Sequence, residues 1–436
     1  MQVIVYLVTY TSPFTYLKYA EKKSANKTPP VQRRDLIKYL SITPLAAGAT
    51  ALSPVPVLAK SPSPPAKRDL FKELGVRTFI NAAGTYTAMT GSLMHDFVVD
   101  TIMNSATDFC MMDELQDKVG EKIAALVHAE AAVVTTGAFS GMTLGLAGIL
   151  TGMDPKKAEQ LPHLEGTGMK SEVIIQKAHT IVYNHALKNT GCNIIYVDTA
   201  EEAEKAINEK TALLHFLNIE ADKGKIKHEE WIAIGKKHGI PTSIDIAADV
   251  PPASNLWKFN DMGFSFVVIS GGKAIRGPQS AGLLMGKKDI IAAARLSMAP
   301  RGFNIGRGFK VNKEEVLGMY VALESYIGQD HDKEWREWEA AAAVISNSVK
   351  AVKGVITQIT VPALGNITPT LGISWDDSKV KISGKDVQLN LRNGNPSIEI
   401  GSAQDKGITV TVWMLKPGQE KIVAARITEE LKKAAI

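Results

Sequence analysis

The sequence predicts an α/β protein, a mainly parallel, doubly wound sheet followed by a smaller α+β C-terminal domain. Three observations carry that expectation. Short apolar, β-branched runs at residues 172–175, 193–197, 212–217 and 266–269 alternate with helical stretches such as 200–208 and 229–238, the pattern of βα units. From about residue 335 the order changes to helix, strands, helix, strands and a last helix at 420–433, which reads as α+β. The chain has 436 residues, 45% of them hydrophobic, ample core for one large and one small domain. The expected partition is 1–68, 69–330 and 331–436.

Residues 1–68 stand apart from the fold. Gln32-Arg33-Arg34-Asp35-Leu36-Ile37-Lys38 sets twin arginines before a moderately apolar run, 39–58, that ends in Val57-Leu58-Ala59. Small residues there suit signal peptidase, so the stretch reads as a twin-arginine export signal, and the Pro/Ser-rich residues 60–67 as a linker. An ordinary amphipathic leader or an uncleaved membrane anchor is the other reading. The expected partner is the twin-arginine export machinery and the expected address periplasmic. The first 59 residues hold seven Lys/Arg against Glu21 and Asp35, which leaves 43 basic and 43 acidic residues in the rest. A body of zero formal charge argues against nucleic-acid binding, which needs a basic surface.

The globular part begins near Leu70. Phe79-Ile80-Asn81-Ala82-Ala83-Gly84-Thr85-Tyr86 is a short strand running into a small-residue turn, with Gly91-Ser92 soon after. Residues 114–129 have helical spacing, with Leu115, Val119, Ile123, Leu126 and Val127 on one face. Residues 131–141 then read as a strand entering a helix through Thr136, Gly137, Ala138, Phe139 and Ser140. The amides of such a helix start make an anion site, and Gly137, Gly141 and Gly145 also suit close helix packing. No Walker-type Gly-Lys-Ser/Thr and no GxGxxG occurs, which disfavours a nucleotide site. His179, just past the strand at 172–175, is placed either to stack on a bound ring or to serve the core.

The chain is organised around residues 264–286. The runs 266–269 and 283–285 suit two buried strands, joined by a polar loop that holds one lysine, Lys273, after Ser270, Gly271 and Gly272. About 30 residues upstream another apolar strand ends in Asp245, with Ala247 just beyond. This pairing suits pyridoxal phosphate (PLP) chemistry. A desolvated lysine loses its proton near neutral pH and bonds the cofactor aldehyde. A buried carboxylate keeps the pyridine nitrogen protonated. Ala247 leaves room for the ring, and Ser270 with nearby glycine amides can donate to the phosphate. Metal catalysis is disfavoured, because the histidines and the two cysteines, Cys110 and Cys192, are scattered without ligand spacing. Further on, residues 299–310 form a glycine-rich basic loop able to clamp a carboxylate, and 313–327 form the helix that leads into the second domain.

These residues resemble the selenocysteine-synthase-like branch of the fold-type I PLP-dependent enzymes, which includes L-seryl-tRNA selenium transferases and D-glucosaminate-6-phosphate ammonia-lyases. The resemblance runs from about Gly75 to the C-terminus. It rests on Ile80-Asn81-Ala82-Ala83-Gly84-Thr85, on Ser270-Gly271-Gly272-Lys273 with Gly277-Pro278-Gln279, and on Gly306-Arg307-Gly308-Phe309-Lys310-Val311-Asn312-Lys313-Glu314-Glu315; Leu415-Lys416-Pro417-Gly418 also fits. It implies an aminotransferase-like fold with Lys273 as the Schiff-base lysine and Asp245 as the pyridinium partner. It further implies that the 136–140 turn and Ser270 cradle the phosphate, that His179 stacks on the ring, and that Arg307 and Lys310 face substrate or cofactor anions. A homodimer or higher oligomer with sites at subunit boundaries is expected too.

Two departures direct the expected reaction. The tRNA-using enzymes carry an N-terminal tRNA-binding domain where this chain has a leader and linker, and their glycine–arginine near the first turn is Gly91-Ser92 here. The expectation is therefore a lyase that removes the α-proton of a small hydroxylated amino acid or amino-sugar acid and expels a β-substituent. A selenium transferase, an aminotransferase or racemase, and an exported non-catalytic binding protein are the alternatives.

Overall fold

The computed structural model describes residues 68–436, so the expected leader and the linker at 60–67 lie outside the described residues. Thirteen strands occur among them: β1 (Ile80–Ala82), β2 (Ala131–Thr135), β3 (Glu172–Gln176), β4 (Asn193–Val197), β5 (Thr211–Leu217), β6 (Thr242–Asp245), β7 (Phe266–Ser270), β8 (Gly282–Gly286), β9 (Val355–Thr360), β10 (Thr370–Trp375), β11 (Ile398–Ile400), β12 (Ala403–Gln404) and β13 (Gly407–Thr411). Seven form one sheet in the order β2-β8-β7-β6-β5-β3-β4. Its pairs from β4 across to β7 are parallel, and β8 alone runs antiparallel to both its neighbours. A sheet covered by helices on both faces needs strands that are apolar throughout, and all seven residues of β5 are buried.

One face packs Ile174, Phe216, Ile244 and Val267 against Ile123, Trp231 and Phe259. The other packs Val133, Leu213, Val268 and Leu284 against the helix Gly137–Thr151. That helix lies close because glycines face the sheet. A Cβ at Gly145 would fall 2.9 Å from the Phe266 ring, and one at Gly141 would fall 3.0 Å from Val268. The expected packing role is what the structure holds at Gly141 and Gly145, while a Cβ at Gly137 would meet only Ser280 O at 3.9 Å.

The C-terminal elements build a four-stranded antiparallel sheet, β12-β13-β10-β9, against the helices His331–Val349 and Gln419–Lys433. The first of these starts a turn before the predicted Trp335, because Asp330 caps it by accepting the Lys333 amide at 2.8 Å. β1 pairs in parallel with β11, and Ile80 and Ala82 are buried in the core that contains Ile373, Val410 and Ile427. The first described strand therefore packs with the last elements of the chain. Just after it, Asn81 folds the Ala83-Gly84 turn: its Oδ1 accepts both amides at 3.0 Å, and its Nδ2 donates to the Gly84 carbonyl.

Candidate active site

The C-terminal ends of the parallel strands are where the sheet gathers its polar side chains, as open α/β sheets do. Asp245 is the last residue of β6 and is buried; its Oδ1 accepts the Ala247 amide at 2.8 Å. Lys273 stands half-buried in the β7–β8 loop. Burial pushes the lysine's pKa down, while the Asp245 and Asp249 carboxyls hold it up. Burial likewise pushes Asp245 up, against the Ala247 amide and the lysine charge. Desolvation thus drives both groups toward their neutral forms, and each is the other's main counter-charge.

The loop that presents Lys273 is fixed along its length. Gly277 N donates to the Gly271 carbonyl at 2.9 Å, Arg276 N to the Lys273 carbonyl at 3.0 Å, and Gly271 N to the Ala281 carbonyl at 2.9 Å. Arg276 is left-handed (φ 54°), and its guanidinium reaches the Trp413 carbonyl at 2.8 Å. The arm after β1 crosses the same loop, with Ser92 N on the Gly272 carbonyl at 2.9 Å and Gln279 Nε2 on the Thr87 carbonyl at 3.2 Å. Gly272 is packed on Gln279, so the loop has no space for a side chain there.

The helix Gly137–Thr151 opens at this edge. Its N-cap, Thr136, makes no side-chain cap; instead its hydroxyl donates to Ser140 Oγ at 3.0 Å, and Ser140 Oγ donates to the Gly137 carbonyl at 3.0 Å. The first-turn amides of Ala138 and Phe139 are therefore left uncapped by side chains, the arrangement that receives an anion. Gly282 of β8 has Thr135 opposite it on one side and Ser270 on the other. A Cβ there would fall 2.7 Å from Gly137 Cα, so Gly282 lets the helix start sit against the strand that follows the Lys273 loop.

The structure thus brings Asp245, Ala247 and Lys273 together, and the 136–140 turn together with Ser270. His179 is fully buried, edge-on to Phe216 with ring centroids 4.4 Å apart, and its Nδ1 accepts the Leu217 amide at 3.3 Å. Burial lowers its pKa to about 4, so it is a neutral imidazole at neutral pH. Arg307 and Lys310 line a different cavity, about 250 Å³, with Met112, Gln116, Met298 and Val311; none of the residues around Lys273 lines it.

Sequence reasoning passed over Asp249. It is 1% exposed, four residues beyond Asp245, and burial pushes its pKa up to about 7, with the Asp245 charge adding to the rise. The Asn218 side chain and the Gly365 amide favour its charged form, and Asn218 is itself oriented by His228, whose Nε2 lies 2.9 Å from its Oδ1. Asp249 Oδ1 has no hydrogen-bond partner among the described residues. The signal in the sequence was a second acid, Asp249, in the turn that follows the strand.

The donor set fits PLP. An amine of lowered pKa would suit the aldehyde, a buried carboxylate would suit the pyridine nitrogen, and an uncapped helix start would suit the phosphate; a buried Asp249 oxygen has no partner among the described residues.

Comparison with known proteins points the same way. The Aminotransferase class-V family matches residues 112–303. The chain is 26% identical to the D-glucosaminate-6-phosphate ammonia lyase of Salmonella typhimurium over 84% of its own length and 99% of that protein. It is 24% identical to a 5'-C-glycyluridine monooxygenase-decarboxylase of Streptomyces sp, over 83% and 92%. It is 23% identical to the L-seryl-tRNA(Sec) selenium transferase of Caldanaerobacter subterraneus, over 82% and 83%. A solved D-glucosaminate-6-phosphate ammonia-lyase superposes with a TM-score of 0.74 at 24% identity, covering 85% of this chain and 100% of that one. Fold, donor set and relatives agree: this chain is a PLP-dependent enzyme of fold type I, similar to the selenocysteine-synthase-like branch.

Proposed function

We propose that the protein is a lyase acting on a small hydroxylated amino acid or amino-sugar acid, removing its α-proton and expelling a β-substituent, with ammonia released on hydrolysis. The buried Asp245 with the half-buried Lys273 at the sheet edge carries this reading. PLP, when bound, supplies the electron sink that stabilises negative charge at the substrate α-carbon. Asp245 would hold the ring nitrogen, and the 137–140 amides with the Ser140 hydroxyl would hold the phosphate. Lys273 does the proton work: desolvation leaves its amine neutral at lower pH than an exposed lysine, so it can accept the α-proton. The relatives' names support the substrate class, since one is an ammonia lyase of an amino-sugar acid phosphate.

The test incubates pure protein with D- and L-hydroxy amino acids and amino-sugar acids while ammonia is measured. Ammonia formed without a keto-acid acceptor supports the lyase. Product that appears only with an acceptor identifies an aminotransferase, and a shifted tRNA band with selenide incorporation identifies a selenium transferase.

Two further parts of the reading concern address and assembly. Arg33, Arg34 and the Val57-Leu58-Ala59 end support twin-arginine export to the periplasm. Replacing both arginines by lysine then strands the protein in the cytoplasm, and wild type found there at full length overturns the address. Exposed Phe71, Leu74, Phe97, Met103, Phe109 and Met111 support a homo-oligomer, since so much bare apolar surface is unusual for a monomer. Light scattering that gives an active monomer overturns the assembly.

A further inference from the structure

We propose that Asp249 is a positioning residue that sets the charge of Lys273, acting as a second, switchable carboxyl beside the permanently engaged Asp245. The geometry carries it. Asp245 is tied down by the Ala247 amide, whereas Asp249 keeps one buried oxygen without a partner. The backbone that holds Asp249 is rigid: its amide donates to the Ile246 carbonyl at 3.0 Å, and its carbonyl accepts Asn255 Nδ2 at 2.7 Å. The side chain is faced by groups from three other parts of the fold. These are Lys273 of the β7–β8 loop, Asn218 after β5 with His228 behind it, and the Gly365 amide of the β9–β10 connection. That connection is seated there by its Asn366 amide on the Ala248 carbonyl, 2.6 Å, and by Gly365, which is packed on Ile219 with no space for a side chain.

A carboxyl in this position has two states with different consequences. Neutral, it leaves Asp245 as the only counter-charge of the lysine nitrogen. Ionised, it adds a second negative charge that holds a proton on that nitrogen. Its proton exchange falls near neutral pH, so the switch lies where an enzyme works. The Asn218–His228 pair tunes it: His228 is neutral, with a pKa lowered to about 4 by burial, and so orients the Asn218 amide without adding charge. The charged and titratable groups acting on Asp249 are then Asp245 and Lys273.

The inference rests on Lys273 being the cofactor lysine, but not on the substrate or the reaction. Its test reads the loaded, full-length protein by spectroscopy. Infrared difference spectra across pH should show a protonated carboxyl titrating near neutrality in wild type and missing in Asp249→Asn. The visible cofactor band, which titrates with the lysine nitrogen, should move its midpoint to lower pH in Asp249→Asn, because the neutral amide no longer holds the proton. If Asp249→Asn does not fold, Asn218→Ala moves the visible midpoint the same way, to lower pH, because the carboxyl then stays neutral to higher pH and holds the lysine proton less. Loss of a donor to the charged form should raise the carboxyl midpoint by about tenfold in proton concentration. A carboxyl that titrates only in the ordinary acidic range, or a visible titration unchanged by either substitution, overturns the assignment. A protein with no visible band and no borohydride-fixed cofactor overturns instead the reading of Lys273 on which it rests.

Discussion

Two buried acids in different parts of the fold meet different treatment. Glu399 of β11 is 3% exposed and surrounded by partners: Arg77 Nη2 reaches it at 2.6 Å, Arg392 Nε at 3.0 Å and Arg392 Nη2 at 2.9 Å. Those guanidinia hold its carboxyl below the usual range despite burial. Asp249 is buried just as deeply but keeps an unpaired oxygen, and its pKa moves up. The first acid ties the segment before β1 to β11 and to Arg392 and has nothing left to offer. The second is left short of partners near the half-buried lysine of the site loop. A buried polar group that is fully paired reads as architecture, and one left half paired reads as chemistry.

The contrast can be broken at four points. Lys273→Ala should have the largest effect, a loss of roughly a thousandfold or more in turnover, if the lysine moves the α-proton as proposed. Borohydride should fix no cofactor in that variant, and a retained adduct would show that another amine does the work.

The pH dependence of stability comes next. Asp249 binds its proton more tightly in the folded chain, so it stabilises below about pH 4 and that contribution is lost as pH rises toward about 7. The full swing is roughly 4 kcal/mol at most for a shift of that size. Glu399, whose pKa is lowered, does the reverse: it stabilises above its unfolded value and loses that contribution as pH falls. Thermal melts of the cofactor-free protein should therefore lose their neutral-range slope in Asp249→Asn and keep it in Glu399→Gln. Equal slopes in both variants would erase the distinction drawn here.

Third, Glu399→Ala should cost about 2–3 kcal/mol, discounted from a fully buried pair because Arg77 and Arg392 are each nearly half exposed. Denaturant unfolding measures it. The smallest effect is expected at Asn312, which caps the helix Lys313–Gly328 in a reciprocal box with Glu315. Asn312→Ala should cost about 1 kcal/mol and leave the cofactor spectrum untouched.

Much of the large sheet was legible because strands buried on both faces must be apolar along their whole length; β3, β5 and β7 announce themselves. Asp245 and Lys273 were legible for a related reason, since a charged residue at the end of such a run has few structural explanations. What stayed hidden depends on distance in sequence. The pairing of β1 with β11 joins residues more than 300 apart, and Ile80-Asn81-Ala82 carries no mark of its partner. The basic, glycine-rich loop that invites an anion-facing reading places Arg307 and Lys310 along a cavity with Met112 and Met298, a setting that the loop's own residues do not announce. Asp249 was in plain view as a letter. Its meaning came only from Asn218, Gly365 and Lys273, which three separate stretches of chain bring to it.

The β1–β11 pair has a consequence for how the enzyme is made. The segment that places Ser92 on the Gly272 carbonyl is anchored by a strand whose partner is residues 398–400. A ribosome must therefore deliver nearly the whole polypeptide before the lysine loop acquires its outer brace. Until then the seven-stranded sheet has all its strands, while the segment that brackets its reactive edge lacks its anchor. Truncated or stalled chains would carry the lysine and the aspartate without the finished enclosure, and cofactor retention should report whether synthesis reached its end.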